Sequence, residues 1–258
     1  MADNDSVKKT LLVTLVLCVV CAVVVSASAV LLRPKQAANQ AVYRKENILA
    51  AAGLLRPGIG VEQQFERVET RLVDLDSGRF TDVLDPNSYD QRKASRDPAL
   101  STAVAQEQDI AKIQRRPKYA QVYLVRDDSG ALSKVILPIK GYGLWSTLHG
   151  FIALEGDLNT VAGLGFYEHA ETPGLGGEVD NPRWKALWPG KRVYDEAGEV
   201  GLRVIKGKVD NARPEAAHQV DGLSGATLTS RGVDNLIHYW LGEQGFAPFL
   251  VNLRAGEA

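Results

Sequence analysis

Apolar and polar positions fall into three regimes along the chain. Residues 11–32 carry no charge and are nearly all apolar, a run about as long as the ~20 residues a helix needs to cross a bilayer. Residues 36–55 then read as a separate helix, ended by the region of Gly53 and Pro57. Phe65, Val68 and Leu72 fall at helical spacing and predict a further amphipathic helix. Residues 74–113 are polar and irregular, broken by Asp85-Pro86-Asn87 and Asp97-Pro98, and are expected to form a long surface excursion suited to docking. Beyond them the pattern turns to strands. Residues 122–125 and 134–139 flank Asp127-Asp128-Ser129-Gly130, a hairpin signature; 151–154 and 160–167 make a second pair, and 202–209 a further strand. Val233, Leu236, Ile237, Trp240 and Leu241 form one apolar helical face. Strand pairs with occasional helices predict an α+β domain, mainly antiparallel, behind one N-terminal membrane helix.

The chain has 258 residues and a net charge of -1, with 45% hydrophobic residues. That length suits one domain plus an anchor. No basic stripe is present, which argues against a nucleic-acid partner. The only cysteines, Cys18 and Cys21, lie in the apolar run, so the main domain has neither a disulfide nor the thiolates for an iron–sulfur cluster. Their spacing fits two small apolar residues in a helix, or a position beside a neighbour's metal cluster. Ser26-Ala27-Ser28-Ala29 offers signal-peptide cleavage positions, but the apolar run continues through Val30, Leu31 and Leu32, which favours an uncleaved anchor. Lys8 and Lys9 before the run are balanced by Arg33, Lys35, Arg44 and Lys45 after it, so charge does not fix the orientation.

The stretch with most chemistry runs from Asp221 to Ser230, just before the last helix. A helix N-terminus carries partial positive charge and unpaired N–H groups, and so favours a phosphate. Gly222, Gly225 and Ala226 permit close approach, while Ser224, Thr227, Thr229 and Ser230 supply hydroxyls. The same composition also fits a plain helix cap, with Thr229 or Ser230 as the capping residue. A second block, Glu168-His169-Ala170-Glu171-Thr172-Pro173-Gly174-Leu175-Gly176-Gly177, places an apolar Leu175 on a loop stiffened by Pro173 and bent by glycines. Its His169 and Glu171 also fit a surface hydrogen-bonded pair. A third, Lys140-Gly141-Tyr142-Gly143-Leu144-Trp145-Ser146, lacks the third glycine of a dinucleotide fingerprint. It reads either as core or as a turn presenting Leu144 and Trp145 to a flat cofactor.

Ser224-Gly225-Ala226-Thr227 resembles the Ser/Thr-Gly-Ala-Thr motif of the covalent FMN-binding domain family, and the second block resembles its His-x-Glu-Thr-Pro-Gly-Leu-Gly segment. Asp221 matches the family's acidic start. The resemblance implies that a transferase takes FMN from FAD and esterifies its phosphate onto Thr227, with Ser224 the competing hydroxyl. It further implies flavin contacts at Ser224, Gly225, Ala226, Thr229, Leu144, Trp145, Ser146, Glu171, Thr172, Leu175 and Gly176. With Asp157-Leu158-Asn159-Thr160 and residues 178–184, the likeness extends over nearly the whole chain to the C subunit of the sodium-translocating NADH:quinone reductases. The flavin subunit of a related ferredoxin-linked complex is the alternative, and an anchored scaffold without redox chemistry a third. The resemblance implies an electron carrier in a bacterial inner membrane, partnered by the other reductase subunits. Residues 1–10 would be cytoplasmic, 11–32 the membrane helix, and 33–258 a periplasmic FMN-binding domain. The NADH, ubiquinone and sodium sites would lie in the partners.

Overall fold

The computed structural model describes residues 6–258; the first half of the expected cytoplasmic segment, residues 1–5, lies outside them. The chain divides into two units, Met1–Tyr43 and Arg44–Ala258. The first is occupied by helix α1 (Val7–Ala51), which continues into the second. The two expected helices are thus one, with Pro34 inside it. Proline removes one intrahelical bond but already has a helical φ, so it does not have to end a helix. The apolar side chains from Leu11 to Leu32 are all exposed. The helix stops where Gly53 takes a φ of 67°. The Gly53 amide then donates to the Ala50 carbonyl and the Leu54 amide to the Leu49 carbonyl, closing off the last turn.

In the second unit, a short α2 (Val61–Phe65) leads into β1 (Val68–Asp74), which pairs with β2 (Arg79–Thr81). Val68 and Leu72 therefore lie in a strand. A separation of four serves a strand as well as a helix, because it is a multiple of the strand period of two. Residues 74–113 are more built than expected. They hold β2, α3 (Gln91–Ala94) and β3 (Ser101–Ala103), and they bury Leu75, Tyr89, Ala94, Ser101 and Ala111.

After β4 (Arg115–Pro117) come the four long strands β5 (Tyr119–Arg126), β6 (Leu132–Tyr142), β7 (Thr147–Glu155) and β8 (Val161–Glu168). The main sheet has the order β2-β1-β5-β6-β7-β8 and is antiparallel throughout. Asp127 turns the β5–β6 connection by accepting the Ser129 and Ala131 amides. Asp157 turns β7 into β8 by accepting the Asn159 and Thr160 amides.

Both sheet faces are covered, so the strands are apolar on both sides. Ala120, Val122 and Leu124 of β5 face the core that contains the last helices. Tyr123 and Val125 face Ile48, Leu49, Ala51 and Ala52 at the end of α1. The expected strand at 202–209 contracts to β9 (Arg203–Val204), parallel to β10 (Gln219–Val220), after the short α4 (Pro182–Lys185). Helices α5 (Thr227–Leu241) and α6 (Ala247–Ala255) complete the domain. The α5 face made by Val233, Leu236, Ile237, Trp240 and Leu241 is fully buried, and the Trp240 indole donates to the Lys140 carbonyl at 2.7 Å. That bond ties α5 to β6 just before the strand reaches the site.

Candidate flavin-binding site

The three blocks singled out in the sequence meet around one side chain. Tyr142 pairs with Thr147, so Gly143-Leu144-Trp145-Ser146 is the tip of the β6–β7 hairpin. Glu171, only 5% exposed, reaches into it. Its Oε1 accepts the amides of Leu144, Trp145 and Ser146 at 3.1, 2.9 and 3.2 Å. Its Oε2 accepts the Thr229 hydroxyl at 2.6 Å. Burial by itself would raise the Glu171 carboxyl, but the Thr229 hydroxyl and the three amides hold it below its usual range. Ser146 Oγ in turn accepts the Ala170 amide at 2.7 Å.

Glycines make this closeness possible. A Cβ on Gly143 would lie 2.6 Å from Glu171 Oε1, and one on Gly176 2.5 Å from Thr229 Oγ1. A Cβ on Gly232 would meet the Tyr142 carbonyl at 2.5 Å, so this glycine lets the start of α5 press on the hairpin. Gly225 has a φ of 72° and packs beside Leu175, whose Cδ2 would be 3.1 Å from a Cβ there.

Helix α5 starts without a side-chain cap: Ala226 is its N-cap residue and makes no side-chain bond. The expected capping hydroxyls are used elsewhere, Thr229 on Glu171 and Ser230 on the Leu223 amide at 2.9 Å. Thr227, the first residue of the helix, is exposed, as are Ser224 and Gly225. Asp221 turns inward, accepting the Val209 amide at 2.8 Å while its carbonyl takes the Trp184 indole.

The surroundings are apolar although open to solvent. Trp145, Leu228, Leu175 and Leu144 are 65%, 53%, 46% and 37% exposed. Leu144 and Leu228 line a groove of about 210 Å³ with Tyr142, Gly143 and Gly232. Leu228 was missed in the sequence; an apolar residue off the buried stripe of α5 was the available signal. Thr172 is exposed and its carbonyl closes the 172–177 turn by accepting the Leu175 and Gly177 amides. Glu171 and Thr229 spend their side-chain oxygens on each other and on the hairpin amides. One expectation needs correction: His169 and Glu171 do not pair at the surface through their side chains, since His169 Nε2 bonds Asp180 at 2.8 Å, its Nδ1 accepts the Glu171 backbone amide at 3.2 Å, and the Glu171 side chain is buried.

This arrangement suits a flavin phosphate ester. A free hydroxyl stands at an uncapped helix start, where backbone N–H groups favour phosphate, and exposed apolar side chains stand near it for a flat ring. Residues 143–242 match the FMN-binding domain family, so fold and site define a flavin-binding domain that follows one long apolar helix. The chain is 57% identical over 262 residues to the C subunit of the Na(+)-translocating NADH-quinone reductase of Pseudomonas aeruginosa, with all of both chains covered. It is 50% identical to the same subunit of Yersinia pestis, covering 98% of this chain and 96% of the other. The crystal structure of Shewanella oneidensis NqrC superposes with a TM-score of 0.76 at 39% identity, over 82% of this chain and 96% of that one. The chain belongs to the C-subunit family of the Na(+)-translocating NADH-quinone reductases.

Proposed function

We propose that this chain carries FMN as a phosphoester on Thr227 and serves as an electron-carrying subunit of a sodium-pumping NADH:ubiquinone oxidoreductase. The observation that carries the reading is Thr227 itself, an exposed hydroxyl on the first, uncapped turn of α5 beside a cluster of exposed apolar side chains. Bound there, FMN supplies the reversible uptake and release of electrons. The chain's own residues hold it. The first turn of α5 offers backbone N–H groups to the phosphate, and Gly225 lets the loop come close. Leu144, Trp145, Leu175 and Leu228 offer surface for the ring, and Glu171 fixes the hairpin and α5 relative to each other before any cofactor arrives.

Attachment requires a flavin transferase with FAD as donor. The Thr227 oxygen bonds to the FMN-side phosphorus, the pyrophosphate bond breaks, AMP leaves, and the hydroxyl proton passes to solvent. The chain then works with the other subunits of the complex, where NADH, ubiquinone and sodium are handled. The exposed apolar part of α1 fits a single-pass anchor in a bacterial inner membrane, with the domain periplasmic. Membranes in which this chain is replaced by its Thr227→Ala form are expected to retain NADH oxidation by soluble dyes but to lose sodium-stimulated quinone reduction. Full quinone reduction in that variant would refute the carrier role.

A further inference from the structure

A second pocket, of about 310 Å³, lies against the halves of β6 and β7 that lead to the hairpin tip, walled by α3 and the segment 112–114. Its wall carries five cationic side chains from separate parts of the chain: Arg44 from α1, Arg92 and Arg96 from α3 and its exit, Lys112 from a loop, and Lys140 from β6. No carboxylate is among the lining residues. Three acids nearby are already committed, and the first, Asp90, caps α3 and pairs with Lys93 at 3.4 Å. Glu168 takes the Arg92 fork at 2.6 and 2.7 Å. Asp109 spends both oxygens on the Ile113 and Gln114 amides at 2.7 Å each.

The remaining cations lack ionic partners. Arg44 donates only to the neutral Gln121 and Tyr123 side chains, and its buried Nε has no partner. Lys140 reaches only the Arg115 carbonyl, at 3.5 Å. Arg96 and Lys112 make no ion pair among the described residues. Burial pushes the Lys140 ammonium down to about 8, the attraction of the Asp109 carboxylate being offset by repulsion from Arg92 and Arg96. Burial pushes the His149 imidazole in the same wall down to about 4, so it is neutral near pH 7. Like charges gathered in a half-enclosed space repel, and that repulsion is relieved by an anion.

We propose that this pocket binds a phosphate-bearing anion. The donors converge from four chain segments rather than from one planar fork. That arrangement suits a tetrahedral group with several acceptor oxygens better than a single carboxylate. The pocket is distinct from the flavin site and shares only Lys112 and Tyr142 with the groove beside Leu144. The phosphate belongs to a soluble ester or to a phospholipid headgroup.

The test uses the full chain, coproduced with a flavin transferase and held in an uncharged detergent. Inorganic phosphate is titrated by calorimetry against chloride of equal ionic strength. Wild type and Lys93→Gln, whose lysine is exposed on α3 and does not line the pocket, are expected to bind phosphate. Arg96→Gln and Lys140→Gln are expected to bind it at least tenfold more weakly. Arg96 is exposed and its side chain makes no hydrogen bond or ion pair among the described residues, so its variant keeps the test decisive if Lys140→Gln folds poorly. Repeating the titration in nanodiscs separates the sources. Phosphate heat lost with phosphatidylglycerol but kept with phosphatidylcholine assigns the site to a lipid headgroup, and heat kept in both assigns it to a soluble ester. Equal affinity in wild type and Arg96→Gln, no preference over chloride, or tighter binding of a hexaglutamate peptide than of phosphate would overturn the proposal.

Discussion

Glu171 joins three stretches that are far apart in the chain: the hairpin tip at 143–146, its own loop, and the first turn of α5. Removing its carboxylate as Glu171→Ala would leave three amides and a threonine hydroxyl without their acceptor. A loss of about 2–3 kcal/mol is expected, read as a lower midpoint in urea unfolding. Glu171→Gln keeps one carbonyl acceptor and is expected to lose less than half of that. The pH dependence follows from the lowered carboxyl. A depressed acid contributes stability that is present above its unfolded value of about 4.3 and is lost as pH falls through its lower folded value. The amide shifts of Leu144, Trp145 and Ser146 are therefore expected to stay fixed at pH 5 and to move only below the ordinary carboxylate range. Movement between pH 5 and 6 would contradict this. The sequence could place Glu171 in the right block but not give its direction. An acid beside glycines and a proline reads as a ligand contact, and only the fold shows that its oxygens face inward. Gly225 was readable as a close-approach residue. Gly225→Ala, at a φ of 72° and against Leu175, is expected to cost about 1 kcal/mol and to slow flavin loading.

Among the elements, the long strands and α5 were legible because their patterns are unambiguous. The β5–β6 and β7–β8 pairs carry turn residues whose side chains make the turns, and the α5 stripe matches one buried face. Elements with mixed signals read less well. Val68 and Leu72 satisfy both periods, and pairing with β5 decides for the strand. Residues 202–209 have strand-like composition, yet only Arg203 and Val204 find a partner, in β10. The polar stretch 74–113 looked like surface because its few buried residues are scattered among turn formers. The α5–β6 contact also carries a prediction. Trp240→Phe takes the indole donor from the Lys140 carbonyl and leaves a cavity beside Tyr239 and Phe246, at a cost of about 2–4 kcal/mol. Because this contact sits behind the site, flavin loading is expected to slow without being abolished, measured as the rate of label incorporation by the transferase.

For the whole molecule, the sequence conveyed the plan of one long apolar helix and one α+β domain, and the similarity to known proteins shows the family. What it did not convey is that the domain covers its sheet on both faces, using the end of α1 on one of them. If the apolar run of α1 is the proposed uncleaved anchor, the full chain is expected to stay with membranes through an alkaline carbonate wash. Release into the supernatant would count against an uncleaved anchor. The proposed flavin linkage is a single bond to Thr227, and its formation can be measured directly. Full-length wild type, Thr227→Ala and Ser224→Ala chains are coproduced with the transferase, denatured, digested and mapped by mass. One added FMN, with yellow fluorescence that survives denaturation, is expected on the peptide containing Thr227 in wild type and Ser224→Ala, and none in Thr227→Ala. A wild-type chain left unmodified by an active transferase, or a Thr227→Ala chain that still carries the flavin, would contradict it.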